Sequence, residues 1–152
     1  AASAGVSSSS LFTGGSLLRV SAYTYFIKNN GQGEPALYRL ALRGGAIQTE
    51  EIVPGIEDMQ IVYGVDTDAT ADSSVDEYVT ADQVTSVAPG ATVADQWRRV
   101  LAVRISLLAA SYSGQEPNAS QQTYRFNGAD IVATDRKVRK VMTMTMAVRN
   151  RL

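Results

Sequence analysis

WRRVLAVRISLL, residues 97–108, is the stretch on which the fold turns. Leu101, Val103, Ile105 and Leu107 alternate with Ala102, Arg104, Ser106 and Leu108. Successive side chains of a strand point to opposite faces, so a period of two over this length predicts a β-strand with one face in the core. The first face is wholly branched aliphatic, which suits a pleated, buried surface. The second is mixed, and Arg104 marks its wet or partner-facing side. Trp97, the only tryptophan, stands just ahead and is expected to plug one end of the core.

The alternation recurs on both sides of this stretch. Val20, Ala22, Thr24 and Phe26 oppose Ser21, Tyr23, Tyr25 and Ile27, and so dense a run of aromatics favours a strand. KNNGQGE, residues 28–34, is rich in residues that tolerate positive φ and predicts a loop. Pro35 then forces Glu34 to be extended and opens a strand over 36–42. Gly44–Gly45 predicts a two-residue hairpin turn, with 46–53 returning antiparallel. Pro54–Gly55 ends that strand. Residues 56–59 are expected to form one helical turn, and 60–65 a further strand. An acidic loop over 66–76, a short strand over 78–80 and a loop over 86–95 lead back to the central stretch.

Beyond it, SYSGQEPNASQQ, residues 111–122, has almost nothing to bury and predicts a surface loop. Residues 124–126 are extended, and Asn127–Gly128 is a turn signal. Residues 140–152 carry the cleanest alternation in the chain, with Met142, Met144, Met146 and Val148 opposing Thr143, Thr145 and Ala147. A helix would scatter those methionines around its circumference, so a strand is predicted, and the methionine row is assigned to the core rather than to an adaptable partner surface. Residues 1–18, Ser-rich with a Gly14–Gly15 break, are expected to be a flexible or loosely structured lead-in, like the cut edge of a longer chain or a linker. Residues 19–152 then form a single strand-rich domain, with roughly seven or eight strands and one or two short helices.

Composition closes many function classes. The chain has 152 residues, 45% of them hydrophobic, which is ample for one core. It has neither cysteine nor histidine, so disulfides, thiolate zinc sites, cysteine nucleophiles, Ser-His-Asp triads and imidazole-bound metals are excluded. Net charge is −1, which gives no long-range attraction to nucleic acid or to an anionic membrane. No apolar run approaches the ~18 residues of a membrane span. Arg136, Lys137, Arg139, Lys140, Arg149 and Arg151 gather late while acids dominate the middle, a dipole suited to orienting a docking partner.

Three groups of residues carry candidate chemistry. DTDATADSSVDE, residues 66–77, places Asp66, Asp68, Thr70, Asp72 and Glu77 at the ligand positions of an EF-hand-like calcium loop. Ala71 stands where that loop needs glycine for its sharp turn, and a solvated acidic turn is the leading reading. Glu50, Glu51, Glu57 and Asp58 flank Pro54–Gly55, but paired carboxylates do acid–base work only in a cleft that raises one pKa, and exposed acids beside a turn are far commoner. Tyr23, Tyr25 and Tyr38 have the faces to stack on bases or sugars; without nearby positive charge, sheet packing is preferred.

Four ordered blocks resemble one family. AYTYFIKNNGQGEPALYRLAL, IVPGIEDMQIVYGVDTD, WRRVLAVRISLLAAS and DRKVRKVMTMTMAVRNRL are similar to the C-terminal region of PilW-type minor pilins of the type IV pilus, from about Val20 to Leu152. The resemblance implies an α+β, predominantly antiparallel β head, related to pseudopilin J of type II secretion and lacking here the N-terminal hydrophobic helix that anchors such proteins in the inner membrane. It implies a structural role at the pilus tip with other minor pilins (PilV, PilX, PilE and FimU-like) and a tip adhesin, with no cofactor, no nucleic acid and no catalytic residues to carry over. It further implies a location in the inner membrane and periplasm before assembly and at the cell surface after it. One departure is the centre of the acidic loop, where Ala69-Thr70-Ala71 replaces the fuller D-x-D-x-D-G pattern and weakens the case for calcium. Arg136, Lys137, Arg139 and Lys140, with the 111–122 loop, are the expected partner-binding residues. A head without its helical spine is also expected to expose apolar surface. The nearest alternatives are a J-class pseudopilin and a calcium-dependent adhesive or glycan-binding module.

Overall fold

The computed structural model describes residues 21–112 and 121–148, and these hold nine strands and two short helices. β1 (Tyr23–Asn29), β2 (Pro35–Arg43) and β3 (Ala46–Pro54) form an antiparallel meander. Gly44 and Gly45, at φ 59° and 80°, make the turn that brings Arg43 opposite Ala46, as the sequence predicts. The β1–β2 loop is fastened by Asn30, whose Oδ1 accepts from the amides of Gln32 and Glu34 at 3.0 and 3.1 Å.

Gly55 joins this sheet to a second one. Its φ is 76°, its amide donates to the Pro35 carbonyl at 2.8 Å, and its carbonyl accepts from the Ala110 amide at 2.8 Å. A Cβ here would lie 2.9 Å from the Ala110 carbonyl oxygen, so both conformation and space require glycine. The second sheet runs in the order β5-β4-β6-β9, with every pair antiparallel: β4 is Ile56–Val65, β5 Glu77–Val79, β6 Val100–Ala110 and β9 Arg139–Ala147. β7 (Thr123–Phe126) and β8 (Ala129–Val132) make a separate hairpin around Asn127 and Gly128, at φ 50° and 76°.

Several expectations are corrected. Residues 56–59 are not a helical turn; they begin β4, where Asp58 and Met59 pair with Leu108 and Leu107 of the long central strand. The central strand starts at Val100, because Trp97 ends a helix, α2 (Val93–Trp97), that Thr92 caps. Thr92 Oγ1 accepts from the Asp95 amide at 3.2 Å and donates to its carboxylate at 2.7 Å, which holds the Asp95 carboxyl below its ordinary pKa. Trp97 does not plug the core: it is 37% exposed and meets Tyr63 edge-on at 5.1 Å. A further helix, α1 (Val84–Val87), precedes α2, and strand β8 completes a hairpin that the sequence reading left without a second arm. The lead-in over 1–18 lies outside the described residues.

The core takes in only one end of the aliphatic face of β6, where Leu101 is buried. Val65, Val79, Val84, Ala88 and Val100 form a buried cluster beneath α1, with Tyr63 and Val87 packed against it. Val103, Ile105 and Leu107, by contrast, are only half-buried, and Met142, Met144 and Met146 are exposed. Period two identifies a strand face correctly; it does not say what lies over that face.

Candidate partner-docking surfaces

Cross-strand register builds an extended apolar surface. Met59, Leu107 and Met142 lie abreast, as do Ile61, Ile105 and Met144, and then Tyr63, Val103 and Met146. Directly opposed residues of a sheet share one face, so these rows make a continuous apolar field across β4, β6 and β9. Its β9 side is open, with Met142, Met144 and Met146 at 44%, 57% and 43% exposure. A hollow of about 160 Å³ lies between Ile105, Leu107, Met142 and Met144. Unbranched thioether side chains repack readily against different partners. Among the described residues, β9 pairs only with β6, so beyond Arg139, whose backbone Gln122 holds, its outer edge has no partner strand. The methionine row is therefore a surface, correcting its assignment to the core.

The late basic segment is partly turned inward. Arg139, with its side chain only 9% exposed, clasps Glu57 through Nε and Nη2 at 2.6 and 3.0 Å. It also clasps Asp135 through Nη1 and Nη2 at 2.6 and 2.8 Å. These hydrogen bonds hold the Asp135 carboxyl down at about 2 and raise the Arg139 guanidinium above its ordinary value. Lys137 reaches Glu34 at 3.1 Å, tying this segment to the β1–β2 loop. Lys140 and Arg136 are exposed. The sequence predicts all four as docking charges; the partners it does not announce are Glu34 for Lys137 and Glu57 and Asp135 for Arg139, of which the i,i+4 spacing of Asp135 and Arg139 is the one legible signal.

The ends of the 111–122 loop are strapped to the same segment. Gln122 donates from Nε2 to the Arg139 carbonyl at 2.8 Å and accepts the Arg139 amide at 2.6 Å, while Ser111 Oγ accepts the Val138 amide at 3.1 Å. Residues 113–120 of that loop lie outside the described residues.

The acidic loop is organised about a buried carboxylate. Asp66, 1% exposed, accepts the amides of Asp68, Asp72 and Ser73 at 3.2–3.3 Å and the Arg99 guanidinium at 3.3 Å. The carboxylates of Asp66, Asp68 and Asp72 come within 4.8 Å of one another. Asp76 foremost, with some burial, pushes the Asp68 carboxyl above its ordinary range. The cation that the fold itself supplies to Asp66 is Arg99. Glu77, the expected twelfth ligand, opens β5 instead of joining the three aspartates.

The acids around Pro54–Gly55 are dispersed among separate structural partners. Glu50 pairs with Arg39 and Arg43, Glu51 accepts from the Tyr38 hydroxyl at 3.0 Å, and Glu57 serves Arg139. Burial, aided by the Glu51 carboxylate, raises the Tyr38 phenol above its ordinary pKa. Tyr38 stacks on Phe26 within the sheet, at 5.8 Å between centroids, whereas Tyr23 and Tyr25 are half-exposed.

A family model described as type IV pilus-assembly protein W, PilW, matches residues 24–150. The chain belongs to the PilW family. The matched span runs from β1 through β9 and so contains the methionine field, the basic segment and the acidic loop. No curated protein and no solved structure matches the chain. As a PilW-family chain it takes part in type IV pilus assembly, outside the cytoplasm, in association with other pilus components. The β-rich PilW head agrees with the predominantly antiparallel fold expected from sequence, and no helix among the described residues is long and apolar enough to cross a membrane.

Proposed function

We propose that this chain is the head of a minor pilin that works by protein–protein contact in the complex initiating and capping the pilus, and that it performs no catalysis. The observation that carries this reading is the open field of Met59, Ile61, Ile105, Leu107, Met142 and Met144 beside the unpaired edge of β9. Contiguous exposed apolar surface of this kind marks an interaction site. In a minor pilin its occupant is the protein's own helical spine together with neighbouring subunits, and the tip adhesin sits beyond them. PilV-, PilX-, PilE- and FimU-like heads are the partners to test. Residues 19–152 act as one domain in this reading; of the four basic residues expected to dock, Arg136 and Lys140 orient the incoming subunit, while Lys137 and Arg139 hold the segment in place.

The test is co-elution of the chain with each candidate head, followed by size-exclusion chromatography with light scattering. A stable hetero-complex, weakened by Met144→Lys or by Arg136→Glu with Lys140→Glu, is the expected result. Lys137 and Arg139 are left intact because their charges hold internal carboxylates. Absence of a complex with every pilin head, in a folded sample, counts against the reading.

A further inference from the structure

The face opposite the methionines is polar and roofed. There Gln60, Ser106 and Thr143 lie abreast, next to a row of Val62, Arg104 and Thr145. The Asn127–Gly128 turn of the β7–β8 hairpin stands over these rows and encloses a cleft of about 500 Å³. Gly64 shapes the wall. A Cβ at that position would lie 2.9 Å from Val75 Cγ1 and 3.0 Å from Tyr78 Cε1, so its absence lets the Tyr78 ring settle close over the sheet. Tyr78 then carries the Arg104 guanidinium 3.5 Å from its ring centroid.

Arg104 stands apart from its counterparts. Arg39, Arg43, Arg98, Arg99, Arg125 and Arg139 each have a carboxylate within 3.4 Å. Among the described residues no carboxylate pairs with Arg104; its Nε donates to Thr145 Oγ1 at 3.3 Å, and its two Nη groups make no hydrogen bond. It is nonetheless half-buried, in the middle of the central strand. A guanidinium stacked on a ring presents its remaining donors in its own plane, and that fork matches a carboxylate bidentately. Stacking and the Thr145 contact fix the side chain in advance, which lowers the entropic cost of binding.

We infer that this cleft receives a carboxylate carried on a peptide, with Arg104 as its anchor. The linked hydroxyls of Ser106 and Thr143, 2.9 Å apart, and the Gln60 amide supply polar contacts for the peptide groups beside that carboxylate. Arg125 also lines the cleft, but Asp130 on the same hairpin neutralises it at 3.2 Å, which leaves Arg104 as the lining cation without a carboxylate. The peptide source rests on the assembly reading, in which acidic segments of neighbouring subunits are the available ligands; the carboxylate chemistry does not.

The experiment is a two-dimensional NMR titration of the 15N-labelled chain at constant ionic strength. The probes are N-acetyl-glutamate N-methylamide, its glutamine analogue and glucuronate. Blocked glutamate is expected to shift the Arg104 Nε–H and the Ser106 and Gly128 amides saturably, with about tenfold weaker binding of the glutamine analogue. The response is expected to vanish in Arg104→Gln and to persist in Lys140→Gln. Should Arg104→Gln fail to fold, Ser106→Leu, which fills the cleft floor, is expected to abolish the same shifts. Equal response to glutamine, or a response surviving in the cleft variants, overturns the site. Preference for glucuronate overturns the peptide source. A pilin head that binds the chain while blocked glutamate does not overturns this cleft and leaves the assembly reading standing.

Discussion

Met144→Lys separates an open apolar field from a core. Met144 is 57% exposed on the edge strand, and fully burying a methionine is worth ~1.5–3 kcal/mol, so the folded chain draws only about 1 kcal/mol from its present contacts. The lysine stem keeps part of that contact, and lysine is well suited to a sheet edge. Urea unfolding of the variant is therefore expected to show a loss of less than ~1 kcal/mol at unchanged m-value. In a core the same substitution would bury an unpaired charge and cost ~3–5 kcal/mol or prevent folding. A measured loss above ~2 kcal/mol would refute the open field and show that something covers it in the isolated chain. Association should respond in the opposite proportion. Covering the three methionines recovers about 3 kcal/mol, and losing one of them weakens partner capture by about fivefold, before the cost of desolvating the ammonium.

Three other perturbations test the remaining geometry. Gly64→Val forces Val75 and Tyr78 away from β4 and is expected to cost ~2 kcal/mol in urea unfolding; a neutral result would contradict the close approach. Arg139→Gln strands Glu57 and Asp135 and should cost ~2 kcal/mol, less than a fully buried pair because Glu57 and Asp135 retain some solvent contact. Lys140→Gln should stay within ~0.5 kcal/mol of the parent, and equal losses for the two would deny Arg139 its special place. Asp135, held at about 2 chiefly by its hydrogen bonds to Arg139, lies below its unfolded value of ~3.9. Its contribution is thus fully present above the unfolded value and is lost as pH falls through the folded one. Unfolding midpoints of the parent and of Asp135→Asn should converge between pH ~4 and ~2; a gap that stays constant would exclude this ion pair as the cause.

The parts of the fold that were legible in sequence are those encoded within a few residues of one another. Gly44–Gly45 and Asn127–Gly128 have the backbone freedom that their turns demand, and both turns are found. The alternation in residues 140–148 marks a strand regardless of its neighbours. What failed depends on distant partners. Residues 56–59 follow a Pro-Gly break and lack a clear local signature, yet the register with Ala109, Leu108 and Leu107 draws them into β4. Likewise, no spacing could reveal that the side chains of Lys137 and Arg139 would be taken by Glu34 and Glu57, which lie far away in sequence.

The central strand shows where pattern reading reaches its limit. Apolar content assigned its Leu101–Leu107 face to the core, but burial is a property of two surfaces, and a strand sequence describes only one of them. On this face a second surface is found at the end of the sheet, where α1 packs on Val65, Val79 and Val100. Farther along, the apolar rows stand open and Arg104 looks into a cleft. One sequence signal for that cleft was present in QIVYGV, where Gly64 interrupts an otherwise continuous strand. An isolated glycine inside a strand marks the close approach of another group, and the group that approaches is the Tyr78 ring that holds Arg104. The glycine and the arginine, forty residues apart in the chain (Gly64 and Arg104), are thus two halves of one local requirement that only the antiparallel register of β4 and β6 makes adjacent.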